Sequence, residues 1–452
     1  KVIKADAIIK DGIICGVGSY SGENEQDVSG KYIMPGFIDS HVHIESSMTQ
    51  PSEYAKAVMP HGITTVIADP HEITNVCGED GLEFMLKSAE NIPLDVNLML
   101  PSCVPATPFE HTGANLDAKT TQKLAPKFFG IGEMMNYPGI VSGDDETLGK
   151  LCLDIVDGHA PLLSGHELDA YASAGIKTDH ECSVVEEMTE KISKGMYILL
   201  REGTLSLDVA KLIKGVTPYT LRRCAFCTDD RFVGEIIRDG SIDHCIRKAV
   251  SLGLNNIDAI IMATLNACEI YGMKNKGAIA PSYVADIVVA DDLNLSSISQ
   301  VYKNGKLVCE NGKALFECET VDNSKVTNTV HLPKISADFF KTDVKDKFDA
   351  IELIPESIIT KKVTVSYSDS LSKVCVIERH HNLGTKGIGF VTNYGITNGA
   401  IATSIGHDSH NVIVIGDNDS DMALAVNTLA TSGGIAVCSE GKVIASMTLD
   451  IA

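Results

Sequence analysis

"PGFIDSHVHIESSM", Pro35 to Met48, is an apolar run that stops on two histidines separated by one valine. Alternate side chains of a strand share a face, so His41 and His43 point one way and Val42 the other. Their Cα atoms would stand roughly 6–7 Å apart, near enough for both rings to converge on one ion. Two surface histidines on a strand end would give the same pattern, so the rest of the chain has to decide.

Working outward, strand-like and helix-like runs alternate from Ile33 to Tyr271. The predicted strands are 37–43, 63–69, 94–100, 128–134, 154–159, 175–180, 196–201 and 224–229. Most are continuous apolar runs, as parallel strands buried on both faces should be. Helical signals lie between them. "SGHELDAYASAG" offers Ser164 as N-cap, Glu167 three residues on and Gly175 as terminator, and "SVVEEMTEKISKG" repeats this with Ser183, Glu186 and Gly195. Eight such units over about 240 residues predict a (β/α)8 TIM-type barrel. One crossover, "GDDETLGKLCLDIVDGH", is short for a helix plus a strand.

Hairpin signals flank the barrel at Asp11-Gly12, Asn304-Gly305 and Asn311-Gly312. The predicted organisation is therefore a small β domain from residues 1–32 with 279–325, a barrel over 33–278, and a C-terminal mixed α/β domain over 326–452. Neither an internal repeat nor a low-complexity tract is visible.

The 452 residues carry 38 basic and 60 acidic side chains, a net charge of −22, which opposes binding to nucleic acid or an anionic membrane. No run is long and apolar enough to span a bilayer and no signal peptide is visible, so the expectation is a cytoplasmic protein. The chain opens on Lys1 and not Met, which leaves a preceding segment open. Thirteen scattered cysteines read as reduced thiols. Cys224 and Cys227, with "HIE" at 43–45, imitate a deaminase zinc signature. The match fails because the halves are far apart, the proline is missing, and positions i and i+3 of a strand face opposite ways.

In such a barrel the C-terminal strand ends form the active face. They supply, in order, His41 and His43; Asp69, His71 and Glu72 of "DPHE"; Ser102 and Cys103; Glu133; His159; Asp179, His180 and Glu181; Arg201 and Glu202; Asp229 and Asp230. This imidazole and carboxylate set suits zinc, iron(II) or manganese. One ion would take His41, His43 and Asp229, the other His159 and His180, with Glu133 bridging. A shared water would become a hydroxide nucleophile near neutral pH, with Asp229 passing its proton to the leaving group. Asp229, Glu133 and His180 are the candidate catalytic residues. Asp69, His71, Glu72, Arg201, Asp230 and His407 are candidate substrate contacts. The blander readings are an internal ion pair for Glu133, a capped turn for "DPHE" and a rim ion pair for Arg201 with Glu202. His407, Asp408 and His410 of "GHDSHN" would reach over the barrel mouth, hold an extra ion, or start a helix capped by Asp408 or Ser409; the last is preferred. Arg379, His380 and His381 are similarly ambiguous.

The order H-x-H, Glu, His, His, Asp resembles the amidohydrolase superfamily. "PGFIDSHVHIESSM", "GITTVIADPHEITNVCG", "GEMMNYPG", "VDGHAP", "TDHECS" and "HDSHN" look like its bacterial adenine deaminase family, across nearly the whole chain. The resemblance implies hydrolysis of adenine to hypoxanthine and ammonia, a role in purine salvage, and two divalent ions, manganese or iron(II) in preference to zinc. It implies His41, His43, Glu133, His159, His180 and Asp229 as ligands, Glu133 standing where many relatives use a carboxylated lysine. Members usually continue past the position of Ala452, so the C-terminal lobe is expected to be incomplete. Adenine is the expected partner, and a homodimer is the default for an enzyme of this size. The competing readings are an amidohydrolase acting on a cyclic amide or another aminopurine, and a non-catalytic scaffold of the same fold.

Overall fold

All eight apolar runs form parallel strands in the computed structural model, which describes residues 2–343, 346–355, 359–368 and 371–451; the chain ends Lys1 and Ala452 lie outside that set. Strands Phe37–Val42, Ile63–Ala68, Asp95–Leu100, Gly130–Met134 and Val156–Gly158 make one ladder. Thr178–Asp179, Tyr197–Arg201 and Cys224–Cys227 make a second. The Gly158 N–H donates to Thr178 Oγ1 at 3.1 Å where the two ladders adjoin. The last run returns to the first: Val42 bridges Asp229, whose N–H donates to the His41 carbonyl at 3.0 Å. The parallel sheet therefore curls back on itself. Its strands are buried on both faces, and each Ile, Leu, Val or Phe withdrawn from water contributes about 1.5–3 kcal/mol.

The helices correct the sequence reading in detail. Helix Gly165–Ser173 follows Ser164, but the Ser164 side chain accepts no capping hydrogen bond, so the expected capping box is absent. Helix Val185–Ser193 has Val184 as its N-cap, one residue after the expected Ser183. The terminating glycines are as expected, Gly175 at φ +101° and Gly195 at φ +88°, where a Cβ would be strained. The tight crossover is made from two short helices, Tyr137–Ser142 and Asp145–Gly149, capped by Asn136 and Asp144.

The chain divides into two compact units. The first holds the parallel strands and comprises Lys1–Pro70, Met85–Cys103 and Asp117–Thr320. It also holds an antiparallel sheet in which Tyr32–Pro35 pairs with Ile287–Ala290, followed by Ile298–Lys303, Lys306–Glu310 and Lys313–Ala314. Asp11-Gly12, Asn304-Gly305 and Asn311-Gly312 all sit at positive φ in the hairpin turns, as the sequence predicts.

The second unit comprises His71–Phe84, Val104–Leu116 and Val321–Ala452. Its eight-stranded mixed sheet runs in the order Thr360–Val365, Phe348–Leu353, Lys386–Thr392, Ser372–Ile377, Val412–Gly416, Gly399–Thr403, Ile435–Ser439, Lys442–Met447. Helix Asp419–Leu429 packs Met422, Val426 and Leu429 on Cys375, Val412 and Val414. Residues 407–410 form a turn, so no helix starts at Asp408 or Ser409 as expected. Among the described residues no helix is long and apolar enough to cross a membrane.

Candidate active site

His41 closes the first strand's face and His43 follows it just beyond the strand end. Their Nε2 atoms lie 3.1 Å apart, and both face Asp229 Oδ1, at 3.6 Å from His41 and 3.1 Å from His43. The orientation has causes. His43 Nδ1 lies 2.8 Å from the Asp69 carbonyl, which accepts its hydrogen bond and so turns the Nε2 lone pair toward the cluster. His41 Nδ1 lies 3.7 Å from Asp157 Oδ2, and Asp157 accepts from Thr178 Oγ1 at 2.8 Å and from the Tyr271 hydroxyl at 3.0 Å.

Glu133, the penultimate residue of the strand Gly130–Met134, has one oxygen toward each half of the cluster. Oε1 lies 3.4 Å from His43 Nε2; Oε2 lies 2.5 Å from His159 Nδ1 and 3.2 Å from His180 Nε2. The Glu133 N–H donates to Asp69 Oδ2 at 2.9 Å, and Ser102 Oγ donates to the Glu133 carbonyl at 2.5 Å. Gly132 is required for this arrangement, since a Cβ there would stand 2.1 Å from Asp69 Oδ2. His180 stacks on His41, ring centroids 4.0 Å apart.

A tetrahedron of about 2.0–2.2 Å metal bonds has edges of about 3.3–3.6 Å. Several ligand-to-ligand distances above are of that size, and two imidazole nitrogens facing one carboxylate oxygen make better geometry for a shared cation than for paired hydrogen bonds. The electrostatics agree. Burial disfavours charge on His41, but Asp157 and Asp229 outweigh it and push the ring up to about 10. Burial likewise opposes charge on His159, and Glu133 pushes it up to about 9. Asp229 is held far below the usual carboxylate range, against its burial, by His41, His43 and Arg201. A field that holds protons so firmly is one that would hold cations. The site's donors therefore fit a divalent metal.

The expected substrate contacts divide. Arg201 does not pair with Glu202 on the rim. Its buried guanidinium donates to Asp229 Oδ2 at 2.9 Å, to Asp208 at 3.2 Å and to Glu181. Glu202, pointing elsewhere, pairs with Lys248. Asp230 accepts from Ser46 Oγ at 2.5 Å. Asp69 holds the Glu133 backbone. His71, Glu72 and His407 belong to the second unit and gather there with Asp408. Cys224 and Cys227 are fully buried, and burial pushes both thiols up, Cys224 to about 12.

Sequence reasoning passed over four supports: Asp39, which accepts from the Thr228 N–H and hydroxyl; Asp157; Tyr271; and Lys191, fully buried between Asp179 and Glu187. A signal existed. Asp39 and Asp157 each stand two residues before a histidine inside an apolar run, where a lone carboxylate needs a partner.

Residues 32–308 match the profile of the amidohydrolase family, and residues 353–452 match that of the adenine deaminase C-terminal domain. The chain is 47% identical to an adenine deaminase of Clostridium acetobutylicum, over all of this chain and 83% of that protein. It is 44% identical to an adenine deaminase of Nitratidesulfovibrio vulgaris strain DP4, over all of this chain and 82% of that one. Among solved structures, a β-aspartyl dipeptidase from Fervidobacterium islandicum AW-1 shares the fold, with TM-score 0.51 and 18% identity over 71% of this chain and 95% of that one.

Proposed function

The chain belongs to the amidohydrolase family, and from that premise we propose that it hydrolyses adenine to hypoxanthine and ammonia. The observation that carries the site assignment is Glu133, with one carboxylate oxygen toward His43 and the other toward His159 and His180. We assign His41, His43 and Asp229 to one divalent ion, His159 and His180 to a second, and Glu133 to the bridge. The thiolate-free donor set suits manganese, iron(II) or zinc alike, and the preference for manganese or iron(II) rests on the resemblance to adenine deaminases. Bound there, the ions supply Lewis acidity that lets water attack near neutral pH.

The protein's own groups do the rest. Water adds to the adenine carbon that bears the amino group; one of its protons ends on the adjacent ring nitrogen and the other on the amino group, and the C–N bond breaks as ammonia leaves and the new C–O bond becomes the carbonyl. Asp229 accepts the water proton and returns it to the departing nitrogen. Arg201 fixes Asp229 Oδ2, which leaves Oδ1 toward the two histidines. Asp69 and Ser102 set the Glu133 backbone, and the stacked rings of His41 and His180 hold each other's planes. The eight parallel strands are a closed (β/α)8 barrel in this reading. The antiparallel sheet from both ends of the barrel segment and the C-terminal sheet are the two further domains, within the boundaries 1–32 with 279–325 and 326–452. The setting is cytoplasmic, supported by thirteen free cysteines, and the working unit is a homodimer.

Incubating the manganese-loaded chain separately with adenine, guanine and a cyclic amide such as dihydrouracil tests the substrate. Hypoxanthine and ammonia from adenine alone are expected; turnover of the cyclic amide instead would contradict the reading.

A further inference from the structure

We infer that Asp179, Lys191 and Glu187 form a buried brace that sets His159 and His180 side by side, which makes the three of them positioning residues for the second half of the site. The inference rests on the deaminase reading for what the two histidines do. Asp179 takes the backbone N–H that follows each histidine: Oδ2 accepts from the Ala160 N–H at 2.9 Å, and Oδ1 accepts from the Glu181 N–H at 2.8 Å. One carboxylate therefore ties the end of one strand to the end of the next. Lys191 reaches the same place from helix Val185–Ser193. Its ammonium has three protons and finds three acceptors, the Ala160 carbonyl at 2.7 Å, Glu187 Oε1 at 2.7 Å and Asp179 Oδ2 at 3.1 Å. Glu187 stands one turn before Lys191 on that helix. Its Oε1 accepts from the Leu162 N–H at 2.7 Å and its Oε2 from the Ser183 N–H at 3.4 Å.

Stability alone is a poor reason for this arrangement. Asp179 and Lys191 are fully buried, and two desolvated charges gain little over apolar side chains of the same size. What the charges supply is position, because they hold residues 160, 162, 181 and 183 by directional bonds to the backbone. The His159 N–H is held in turn by the Tyr171 hydroxyl at 3.0 Å, which donates to the Met134 carbonyl, beside Glu133, at 2.7 Å. The first half of the site relies on other groups, Asp69 behind His43 and Asp157 behind His41. Loosening the brace should therefore disturb one half of the site and spare the other.

The test uses the full chain with Asp179→Asn and Lys191→Met together, which removes both charges and strands neither. An asparagine offers one acceptor oxygen where aspartate offers two, so the Ala160 and Glu181 N–H groups can no longer both be held. In the metal-free protein, amide hydrogen exchange read by NMR should quicken about tenfold at Ala160, Glu181 or both, while the Asp229 N–H, bonded to the His41 carbonyl, keeps its rate. The manganese concentration that gives half-maximal deamination should rise about 10–100-fold, with KM for adenine within about twofold of the wild type. Glu187→Gln leaves the Asp179–Lys191 pair in place. It should quicken Leu162 and Ser183 and raise the manganese requirement less, and it gives an independent reading if the double variant does not fold. Unchanged exchange at both Ala160 and Glu181, equal quickening at Asp229, or an unchanged manganese requirement overturns the proposal. A wild type that leaves adenine intact while Ala160 and Glu181 quicken in the variant would remove the deaminase reading and keep the brace.

Discussion

His41 and His380 are both buried imidazoles, and their surroundings drive them in opposite directions. Around His41, burial disfavours the charged ring, but the carboxylates of Asp157 and Asp229 win and push it up to about 10. Around His380, burial is joined by the Arg379 charge, and the ring is pushed down to about 4 although its Nε2 lies 2.8 Å from the Ser409 carbonyl. His159 follows the first pattern, His410 the second. The difference shows that burial by itself neutralises a histidine, and that carboxylates in line with the ring convert a histidine cluster into a cation trap. The barrel strands deliver such carboxylates; the turn carrying His410 and the segment carrying His380 place a guanidinium nearby instead.

The largest expected effect comes from removing a carboxylate from the first cluster. Asp229→Asn should lower kcat for adenine by about 10²–10⁴-fold, because the proton acceptor is lost. In the metal-free protein the same variant should bring the His41 titration, followed by NMR, down toward neutrality. An unmoved His41 would break the comparison.

Arg201→Lys comes next. A lysine cannot span Glu181 and Asp229 together, so kcat should fall by about tenfold while KM stays nearly constant, the mark of a group that acts through Asp229. A rise in KM alone would instead make Arg201 a substrate contact.

The third prediction uses pH. A histidine whose folded pKa is lowered contributes stability above its unfolded value, near 6.5, and that stability is lost as pH falls through about 4. Acid should therefore weaken the protein by up to about 3 kcal/mol between those limits through His380. In His380→Gln the melting temperature should decline less steeply over the same window. His41 and His159 act with the other sign in the metal-free protein: their contribution is full below about 6.5 and is lost as pH rises through about 9 and 10.

The fold was largely legible because parallel strands buried on both faces leave uninterrupted apolar runs, and all eight runs became strands. The candidate ligands were legible because each stands at a strand's end, where the polar residue breaks the run. What stayed hidden was pairing at long range. Arg201 and Glu202 are neighbours in sequence, yet on a strand they face opposite ways and find different partners. Asp69 looks like a turn residue, yet its carboxylate reaches a backbone 64 residues away. Caps were read too generously: Ser164 has the right neighbours but makes no bond, whereas Asp144 accepts from both the N–H and the hydroxyl of Thr147. The smallest expected effect follows. Asp144→Ala should cost about 1 kcal/mol by denaturant unfolding, and Ser164→Ala a few tenths, about the uncertainty of the measurement.

The central claim is that Glu133 joins two metal-binding halves into one site. Its most direct test is to titrate manganese into metal-free protein and follow bound metal and ammonia release from adenine together, in the wild type and in Glu133→Gln. The account predicts activity that rises with the two barrel ions and falls about a thousandfold or more in the variant, with loss of bound metal. Full activity with a single ion, or a Glu133→Gln variant that turns over adenine at the wild-type rate, would contradict it.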